Sequence, residues 1–217
     1  MSLRSPKLIC FDCDSTLSAI EGVDEMARLR GPECFHRVEQ MTNDAMEGRI
    51  ALDDIFRLRL ELINPTRDEV AAIGQLYIKN VEPTARATIA DLKSKGWTPA
   101  IISGGYTQAI EPLAEFLGIE RIEAVRLAFD ERGNYAGFDA VHPAARRGGK
   151  PDLVRQLRAE FGAGRTVLVG DGASDLETRD VVDLFIGFGR YAERRAVKEG
   201  AATFIHSLDQ LSRILAS

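Results

Sequence analysis

Carboxylates, hydroxyls and glycines follow three short apolar runs that lie far apart in the 217-residue chain. The three polar segments are residues 12–16 (DCDST), 103–105 (SGG) and 170–175 (GDGASD). In open α/β sheets, ligands bind at the carboxyl ends of the strands, where segments from different strands meet. If the apolar runs are neighbouring strands, the sequence predicts one polar site built from all three segments.

The first and third segments contribute four carboxylates, those of Asp12, Asp14, Asp171 and Asp175. Asp12 and Asp14 are two positions apart, so an extended backbone directs both side chains to the same side. Four carboxylates in one crevice would raise one another's pKa values unless a cation were present. Oxygen-rich sites suit hard cations, and Mg²⁺ usually takes one or two carboxylates together with water and substrate phosphate. The pattern therefore predicts a Mg²⁺ site.

Lys150 is the candidate side-chain cation for this cluster, and it ends the segment GGK at the start of a predicted helix. The segment is not a P-loop, because Ala144 and Pro151 stand where that motif requires Gly and Ser or Thr. Taken alone, Lys150 is interpreted as a surface lysine. The D-x-D pair by itself is typical of a turn or a helix cap, and Ser103 by itself is typical of the start of a tight turn or of a helix cap. The order, strand context and spacing of the segments together favour a site.

The elements that would position this site alternate between strand and helix. Continuous apolarity predicts strands covered on both faces, at residues 8–11, 100–102, 167–169 and 184–186. Helical patterns separate them, at residues 83–95, 106–117, 148–161 and 191–199. The alternation predicts an α/β fold with a doubly wound parallel sheet.

Two segments interrupt this alternation. About seventy residues between the first strand and Pro83 read as helical, which is too long for a loop in a compact domain, so we predict an inserted helical cap. We place the α/β core at residues 1–18 and 78–217 and the cap at residues 19–77. Residues 125–138 hold the turn sequence DERGN between two β-like pieces, which predicts a short β-hairpin flap.

Composition narrows the classes of partner. A net charge of -5 gives no basic surface for nucleic acid or an anionic membrane, and no apolar run approaches the ~18–20 residues that cross a bilayer. Three cysteines do not make a disulfide framework, which fits a reducing cytoplasm.

Cys10 and Cys13 form C-x-x-C but end a strand, so we interpret them as packed rather than redox-active. The histidines lack metal-ligand spacing and are read as incidental: His36, His142 and His206.

The polar segments, taken in order, resemble the four motifs of the haloacid dehalogenase (HAD) superfamily of phosphotransferases, with Lys150 as the third motif. The resemblance is closer still to the phosphoserine phosphatase family within it, and it covers nearly the whole chain. The stretches that carry this closer resemblance are residues 21–25 (EGVDE), 41–46 (MTNDAM), 135–139 (YAGFD), 148–150 (GGK) and 185–189 (FIGFG).

The resemblance implies a Mg²⁺-dependent phosphatase with a HAD-like core. Asp12 would be the nucleophile that forms an aspartyl-phosphate, and Asp14 would protonate the leaving alkoxide and then deprotonate the attacking water. An Asp12 carboxylate oxygen, the Asp14 backbone carbonyl and an Asp171 carboxylate oxygen would hold Mg²⁺. Asp175 would orient this metal shell and Lys150.

The resemblance also implies how the phosphoryl group is bound. Its oxygens would be held by the Ser103 hydroxyl, the Gly104 amide and Lys150.

Arg59 is a candidate for substrate recognition in the cap. At ~100° per residue it falls near the centre of an apolar helical stripe, formed by Leu52, Ile55, Phe56, Leu62 and Ile63. A guanidinium on an apolar face needs an anionic partner. From the residues alone, this partner can be either a structural carboxylate of the cap or a carboxylate of the substrate. The resemblance implies the substrate carboxylate, which Arg59 would hold in a planar bidentate pair.

The resemblance further implies that Glu21 binds the substrate ammonium and that Met46 lines the pocket. Considered singly, Glu21 reads as a solvated loop residue and Met46 as cap packing. The sequence departs from the family pattern at Leu52, which stands where an aromatic residue usually closes the pocket, and at Glu47, which replaces a glycine. These departures bear on the substrate rather than on the reaction.

The implied activity is hydrolysis of O-phosphoserine, the last step of serine biosynthesis, by a cytoplasmic monomer or homodimer. Two alternatives remain. One is a HAD-family phosphatase or phosphotransferase for another small phosphomonoester, which would not call for both Glu21 and Arg59. The other is a receiver-like phosphoacceptor, which also uses Asp, Mg²⁺, Ser or Thr and Lys on a doubly wound sheet. Receivers are shorter and lack a cap, and an acid/base at Asp14 favours turnover.

Overall fold

The computed structural model of the chain describes residues 5–46 and 52–216, with the side chains of 43–46 and 52–53 outside that description. Eight strands are described: β1 Lys7–Phe11, β2 Trp97–Tyr106, β3 Arg121–Val125, β4 Leu127–Phe129, β5 Tyr135–Phe138, β6 Arg165–Gly170, β7 Leu184–Phe188 and β8 Thr203–Ile205. Six of them form a parallel sheet in the order β3-β2-β1-β6-β7-β8, and β4 pairs with β5 in an antiparallel hairpin.

The centre of the sheet explains why the polar segments meet. Strand β1 is buried from Leu8 to Phe11 and pairs in parallel with β2 on one side and β6 on the other. Phe11 lies level with Ile101 and Val169. The residues that follow these three positions therefore emerge at the same edge of the sheet, as the continuous apolar runs predicted.

Ten helices accompany the strands within the described residues. They are α1 Gly22–Leu29, α2 Pro32–Met46, α3 Leu52–Ile63, α4 Arg67–Lys79, α5 Ala85–Ser94, α6 Thr107–Leu117, α7 Gly149–Glu160, α8 Ala173–Leu176, α9 Arg195–Gly200 and α10 Leu211–Ile214. Single 3₁₀ turns lie at Pro143–Ala145, Glu177–Asp180 and Leu208–Gln210. Over the same ranges, none of the helices combines the length and apolarity that a bilayer crossing needs.

The α/β class, the parallel sheet and the hairpin are confirmed, but several boundaries differ. The hairpin begins at Leu127 because Val125 ends β3, an edge strand that the sequence reading missed. The predicted start of a helix at residue 191 is wrong, since α9 begins at Arg195. Strand β2 continues through the SGG segment, and its register with β3 shifts between Ile102 and Tyr106.

Helices α1 to α4 lie between Gly22 and Lys79, so they begin inside the predicted cap and end two residues beyond its predicted limit at residue 77. The two ends of this segment meet, because Ser18 and Val81 form an antiparallel bridge and the Glu82 amide donates to the Leu17 carbonyl over 2.8 Å. Helix α4 packs on α6 of the core, with Gly74 against the Pro112 ring. The division of the chain at 18/19 and 77/78 stays a prediction.

Candidate active site

The loop after β1 turns sharply and directs both of its carboxylates to one cavity. Asp12 has an extended backbone, and its Oδ1 accepts a hydrogen bond from the Cys13 amide over 2.8 Å. Residues Cys13–Leu17 then form one wide turn, closed by a hydrogen bond from the Ser18 amide to the Cys13 carbonyl over 3.1 Å. Within it Asp14 is extended and Ser15 has a left-handed φ of 50°. Asp12 and Asp14 consequently line the same cavity, as their spacing predicted.

Three of the four predicted carboxylates form a buried cluster around one lysine. Carboxylate oxygens of Asp12, Asp171 and Asp175 lie within 4.8 Å of one another. The Lys150 Nζ is 3.0 Å from Asp12 Oδ1 and 2.6 Å from Asp175 Oδ1. Burial alone would lower the pKa of Lys150, but the two carboxylates outweigh it, so the pKa lies above its ordinary value and the side chain is a cation.

Close backbone approaches hold this cluster in place. Lys150 is the second residue of α7, and a Cβ at Gly149 would stand only 1.7 Å from the Pro143 carbonyl oxygen. A Cβ at Gly170 would stand 2.3 Å from the Asp175 carboxylate carbon, and the Gly172 amide donates to Asp175 Oδ2 over 2.9 Å. Glycine is therefore required where the helix and the strand come close to the charged groups.

Asp14 has different partners from the other three carboxylates. Its Oδ1 accepts hydrogen bonds from the Gly22 amide and the Tyr77 hydroxyl, each over 2.6 Å. Its Oδ2 lies 3.4 Å from the Ser103 hydroxyl oxygen. Burial, assisted by the charges of Glu21 and Asp12, raises the pKa of Asp14 to about 7. This carboxyl can therefore exchange a proton near neutral pH.

Arg194, in the loop before α9, approaches the cluster from its open side. Its Nε donates to Asp171 Oδ2 over 3.1 Å, and its guanidinium lies 3.9 Å from Glu21. Thr16 donates to the other oxygen of Asp171 over 3.3 Å. Burial and the charge of Asp12 raise the pKa of Asp171 to about 6, although Arg194 opposes the shift.

A cavity of about 530 Å³ opens above these groups. Seven predicted site residues line it: Asp12, Asp14, Glu21, Arg59, Gly104, Lys150 and Asp171. Ser103 and Asp175 lie just beneath its surface and are fully buried. Apolar side chains from the helical segment and from β2 form the opposite wall: Val23, Ile55, Phe56 and Tyr106.

Comparison with known proteins assigns the family. The profile of the haloacid dehalogenase-like hydrolases matches residues 6–178. This chain belongs to the haloacid dehalogenase-like hydrolases. The resemblance inferred from the sequence motifs is thereby confirmed, and the protein is an enzyme of a hydrolase family.

Relatives of this HAD-like hydrolase include phosphoserine phosphatases. The Mus musculus enzyme is 36% identical over 209 residues, which cover 95% of this chain and 92% of the relative. The Methanocaldococcus jannaschii enzyme is 33% identical over 189 residues, covering 85% and 86%. A solved structure of a phospho-aspartyl intermediate analogue of phosphoserine phosphatase superposes with a TM-score of 0.82 at 30% identity, covering 97% of this chain and 99% of that one.

The acidic cluster of this HAD-like hydrolase fits a hard metal ion. Asp12 and Asp171 offer carboxylate oxygens toward the cavity, while Asp175 points to Lys150. Three buried carboxylates beside one buried lysine leave an excess of negative charge, and hard cations prefer oxygen ligands. The side chain of Asp14 stands apart from this cluster, so a ligand from this residue would have to be its backbone carbonyl.

Arg59 lies at the cavity as its position in the apolar stripe suggested. Its guanidinium carbon is 5.7 Å from the centre of the Phe56 ring. Its Nε is buried, and it has no hydrogen-bond partner among the residues that the structure describes. A buried donor without a partner is unfavourable unless a ligand supplies an acceptor.

Some predicted residues cannot be placed, and two contacts were missed. Met46 ends α2 and Leu52 begins α3, but their side chains lie outside the described part, as does all of Glu47. Tyr77 and Arg194 were not predicted. Tyr77 has the helical spacing of a core residue, and Arg194 stands in a charged stretch, so neither carries a local signal for a site.

The cysteines agree with the packed interpretation. Cys10 and Cys13 are free and fully buried. Burial raises the pKa of Cys10 to about 12 and that of Cys13 well above its ordinary value. Both thiols therefore stay protonated, and a protonated thiol is a poor nucleophile for redox chemistry.

Proposed function

We propose that this chain is a Mg²⁺-dependent phosphatase that hydrolyses O-phosphoserine to serine and phosphate through an aspartyl-phosphate on Asp12. One observation carries the proposal: a single cavity holds the acidic cluster with Lys150 together with Glu21 and Arg59. The acidic cluster with Lys150 suits a phosphoryl group and its metal ion. Glu21 and Arg59 carry opposite charges and suit the ammonium and the carboxylate of an amino acid. The names of the relatives point to the same substrate.

Asp12 is the proposed nucleophile. Lys150 and the Cys13 amide both contact its Oδ1, so the carboxylate is held in one orientation before the substrate arrives. Phosphoryl transfer depends mainly on in-line positioning and on stabilising spread negative charge. Attack by a carboxylate also divides the hydrolysis into two steps with lower barriers.

Asp12, Asp171 and the backbone carbonyl of Asp14 are the proposed ligands of Mg²⁺. The ion would offset the charge of the carboxylates and of the phosphoryl oxygens when bound. Asp175 orients Lys150, to which it is joined over 2.6 Å. Lys150, the Ser103 hydroxyl and the Gly104 amide are the proposed phosphoryl-binding groups.

Asp14 is the proposed general acid and base. A serine alkoxide is a poor leaving group, so protonation by a positioned acid is worth roughly 10²–10⁴-fold. The pKa of about 7 supports this role, because the carboxyl can carry the proton for the first step and accept one from water in the second.

Substrate selection is assigned to the helical segment. Arg59 binds the substrate carboxylate through its guanidinium, whose Nε has no hydrogen-bond partner among the described residues. Glu21, held by the Ser15 hydroxyl over 2.6 Å, binds the ammonium. Met46 lines the pocket in this proposal. The protein acts in serine biosynthesis as a cytoplasmic monomer or homodimer; the three free cysteines agree with a reducing compartment.

The proposal is tested by measuring phosphate release from phosphoserine, phosphothreonine, phosphoethanolamine and sugar phosphates, with and without Mg²⁺. Phosphoserine should give the highest kcat/KM, EDTA should abolish turnover, and Asp12→Asn should be inactive with every substrate. A phosphate ester without both an ammonium and a carboxylate that is turned over better than phosphoserine would overturn the substrate assignment.

A receiver-like phosphoacceptor remains the alternative from another class. It would become labelled once per chain and would release phosphate slowly. Steady-state release over many turnovers would exclude it, whereas stoichiometric labelling without turnover would favour it over the proposed phosphatase.

A further inference from the structure

Tyr77 contacts the proposed acid Asp14 from a part of the chain that none of the sequence motifs includes. It lies in the last turn of α4 and is 1% exposed. Its hydroxyl donates to Asp14 Oδ1 over 2.6 Å, across 63 positions of sequence. Its own carbonyl accepts from the Ser18 hydroxyl over 3.1 Å, beside the bridge between Ser18 and Val81. Tyr77 is therefore held by hydrogen bonds at both its side-chain hydroxyl and its backbone carbonyl.

The two oxygens of Asp14 have unequal surroundings as a result. Oδ1 accepts from both the Tyr77 hydroxyl and the Gly22 amide. An oxygen that accepts two hydrogen bonds has used both lone pairs, so the proton of a neutral carboxyl resides on the other oxygen. That oxygen is Oδ2, which lies 3.4 Å from the Ser103 hydroxyl at the cavity.

Position 22 must be glycine for this arrangement to exist. A Cβ there would stand 2.1 Å from the Tyr77 hydroxyl oxygen and 2.9 Å from the ring carbon that carries it. Only a residue without a side chain lets the amide and the phenol reach the same carboxylate oxygen. The backbone at Gly22 and the side chain of Tyr77 thus act as one paired contact.

We propose that Tyr77 is a positioning residue that, together with the Gly22 amide, holds Asp14 so that its proton-bearing Oδ2 faces the leaving oxygen of the substrate. Tyr77 does not line the cavity and acts only through Asp14. The inference rests on the proposed function, because it takes Asp14 as the acid that protonates the leaving group.

The test compares two leaving groups in Tyr77→Phe. The kcat/KM value reports steps up to departure of the alcohol, which needs a proton for serine but not for p-nitrophenolate. We expect kcat/KM to fall roughly tenfold or more for phosphoserine, with kcat falling more than KM changes. The value for p-nitrophenyl phosphate should stay within about twofold.

Three further variants make the result specific. Tyr191→Phe removes the hydroxyl of a partly buried tyrosine that lies away from Asp14, and it should change kcat/KM for neither substrate. Gly22→Ala retains Tyr77 but moves its hydroxyl away from Asp14. This variant should also lower kcat/KM for phosphoserine and not for p-nitrophenyl phosphate. Tyr77→Phe in an Asp14→Asn background should add no further loss, because the two residues act as one unit.

The outcomes separate this inference from the function on which it rests. Equal losses of Tyr77→Phe on both substrates, or no loss, would overturn the positioning role. If Asp14→Asn shows the split while Tyr77→Phe does not, the proposed function stands and the inference fails. If Asp14→Asn shows no split, the acid assignment itself fails. Thermal unfolding of each variant shows whether a loss reflects folding, and Phe preserves the ring that fills the buried space.

Discussion

The same residue type takes three roles here because its surroundings differ. Asp12 is paired with Lys150, Asp14 accepts from a phenol and an amide, and Asp171 faces Arg194. Burial and the charges of nearby carboxylates raise the pKa values of Asp14 and Asp171, and their hydrogen-bond donors oppose the shift. A lone D-x-D pair in a sequence cannot distinguish these environments, because Lys150 lies more than a hundred positions from Asp12 and Tyr77 lies 63 positions from Asp14.

The raised pKa of Asp171 predicts a pH-dependent effect of Asp171→Asn in metal-free protein. A carboxyl with a folded-state pKa of about 6 binds its proton more tightly in the folded state than in the unfolded state. Ionisation therefore destabilises the fold as pH rises from about 4 to about 7, by up to about 3 kcal/mol. In EDTA, the free energy of unfolding of Asp171→Asn should equal that of the wild type near pH 4. Near pH 8 it should be higher than that of the wild type.

Denaturant unfolding at several pH values checks this expectation. The control is Asp209→Asn, an exposed carboxylate far along the chain from the cluster. Added Mg²⁺ should raise the unfolding midpoint of the wild type and not that of Asp171→Asn, since a ligand stabilises only the state that binds it. A difference between variant and wild type that is constant across pH would contradict the electrostatic account.

Arg59 offers a second prediction at the scale of one side chain. Arg59→Ala should raise KM for phosphoserine roughly 10–100-fold, because hydrogen bonds to a charged group contribute about 1.5–3 kcal/mol. The KM for p-nitrophenyl phosphate should change little, as that substrate has no carboxylate. Arg57→Ala is the matched control, since Arg57 is exposed on the same helix and pairs with Glu61 over 3.1 Å. Equal effects of Arg59→Ala on both substrates would refute the assigned contact.

At the scale of elements, the site depends on where α7 begins. The helix starts at Gly149 against the Pro143 carbonyl, and this contact places Lys150 between two carboxylates. The sequence predicted a helix near residue 148 and a cation at its start. It did not predict the close approach, because the partner lies in a 3₁₀ turn, Pro143–Ala145, with no strong sequence pattern.

Gly149→Ala should therefore damage activity as well as stability. Its Cβ meets backbone atoms that cannot rotate away, so α7 or the 3₁₀ turn must shift, at a cost of about 1–3 kcal/mol. A shift of Lys150 of about 1 Å should lower kcat/KM on the order of 10²-fold. The measurements are the unfolding midpoint and kcat/KM.

Gly162→Ala, just beyond the other end of the same helix, is the control. Gly162 has a φ of +56° with open space around its Cβ position, so alanine costs roughly 1–2 kcal/mol of backbone strain without moving the site. The control should lose stability and keep kcat/KM. A Gly149→Ala enzyme with unchanged kcat/KM would contradict the positional role of this contact.

Over the whole molecule, continuous apolar runs were enough to predict β1, β2, β6 and β7 and the edge at which their loops meet. The edge strands were missed for physical reasons: β3 holds Arg121 and Glu123, and β8 has only three residues, Thr203–Ile205. The contacts of Tyr77 and Arg194 could not be predicted, because they depend on how α4 and the loop before α9 pack rather than on local spacing.

The central claim is that Asp12 attacks phosphorus, and rapid-quench labelling tests it most directly. Enzyme, Mg²⁺ and radiolabelled phosphoserine are mixed, acid-quenched within one turnover, and digested to locate the label. The account predicts an acid-stable, hydroxylamine-sensitive phosphoryl group on the peptide that contains Asp12, absent in Asp12→Asn and in EDTA. Active enzyme that shows no trapped phosphoryl group, or that carries it on another residue, would contradict the account.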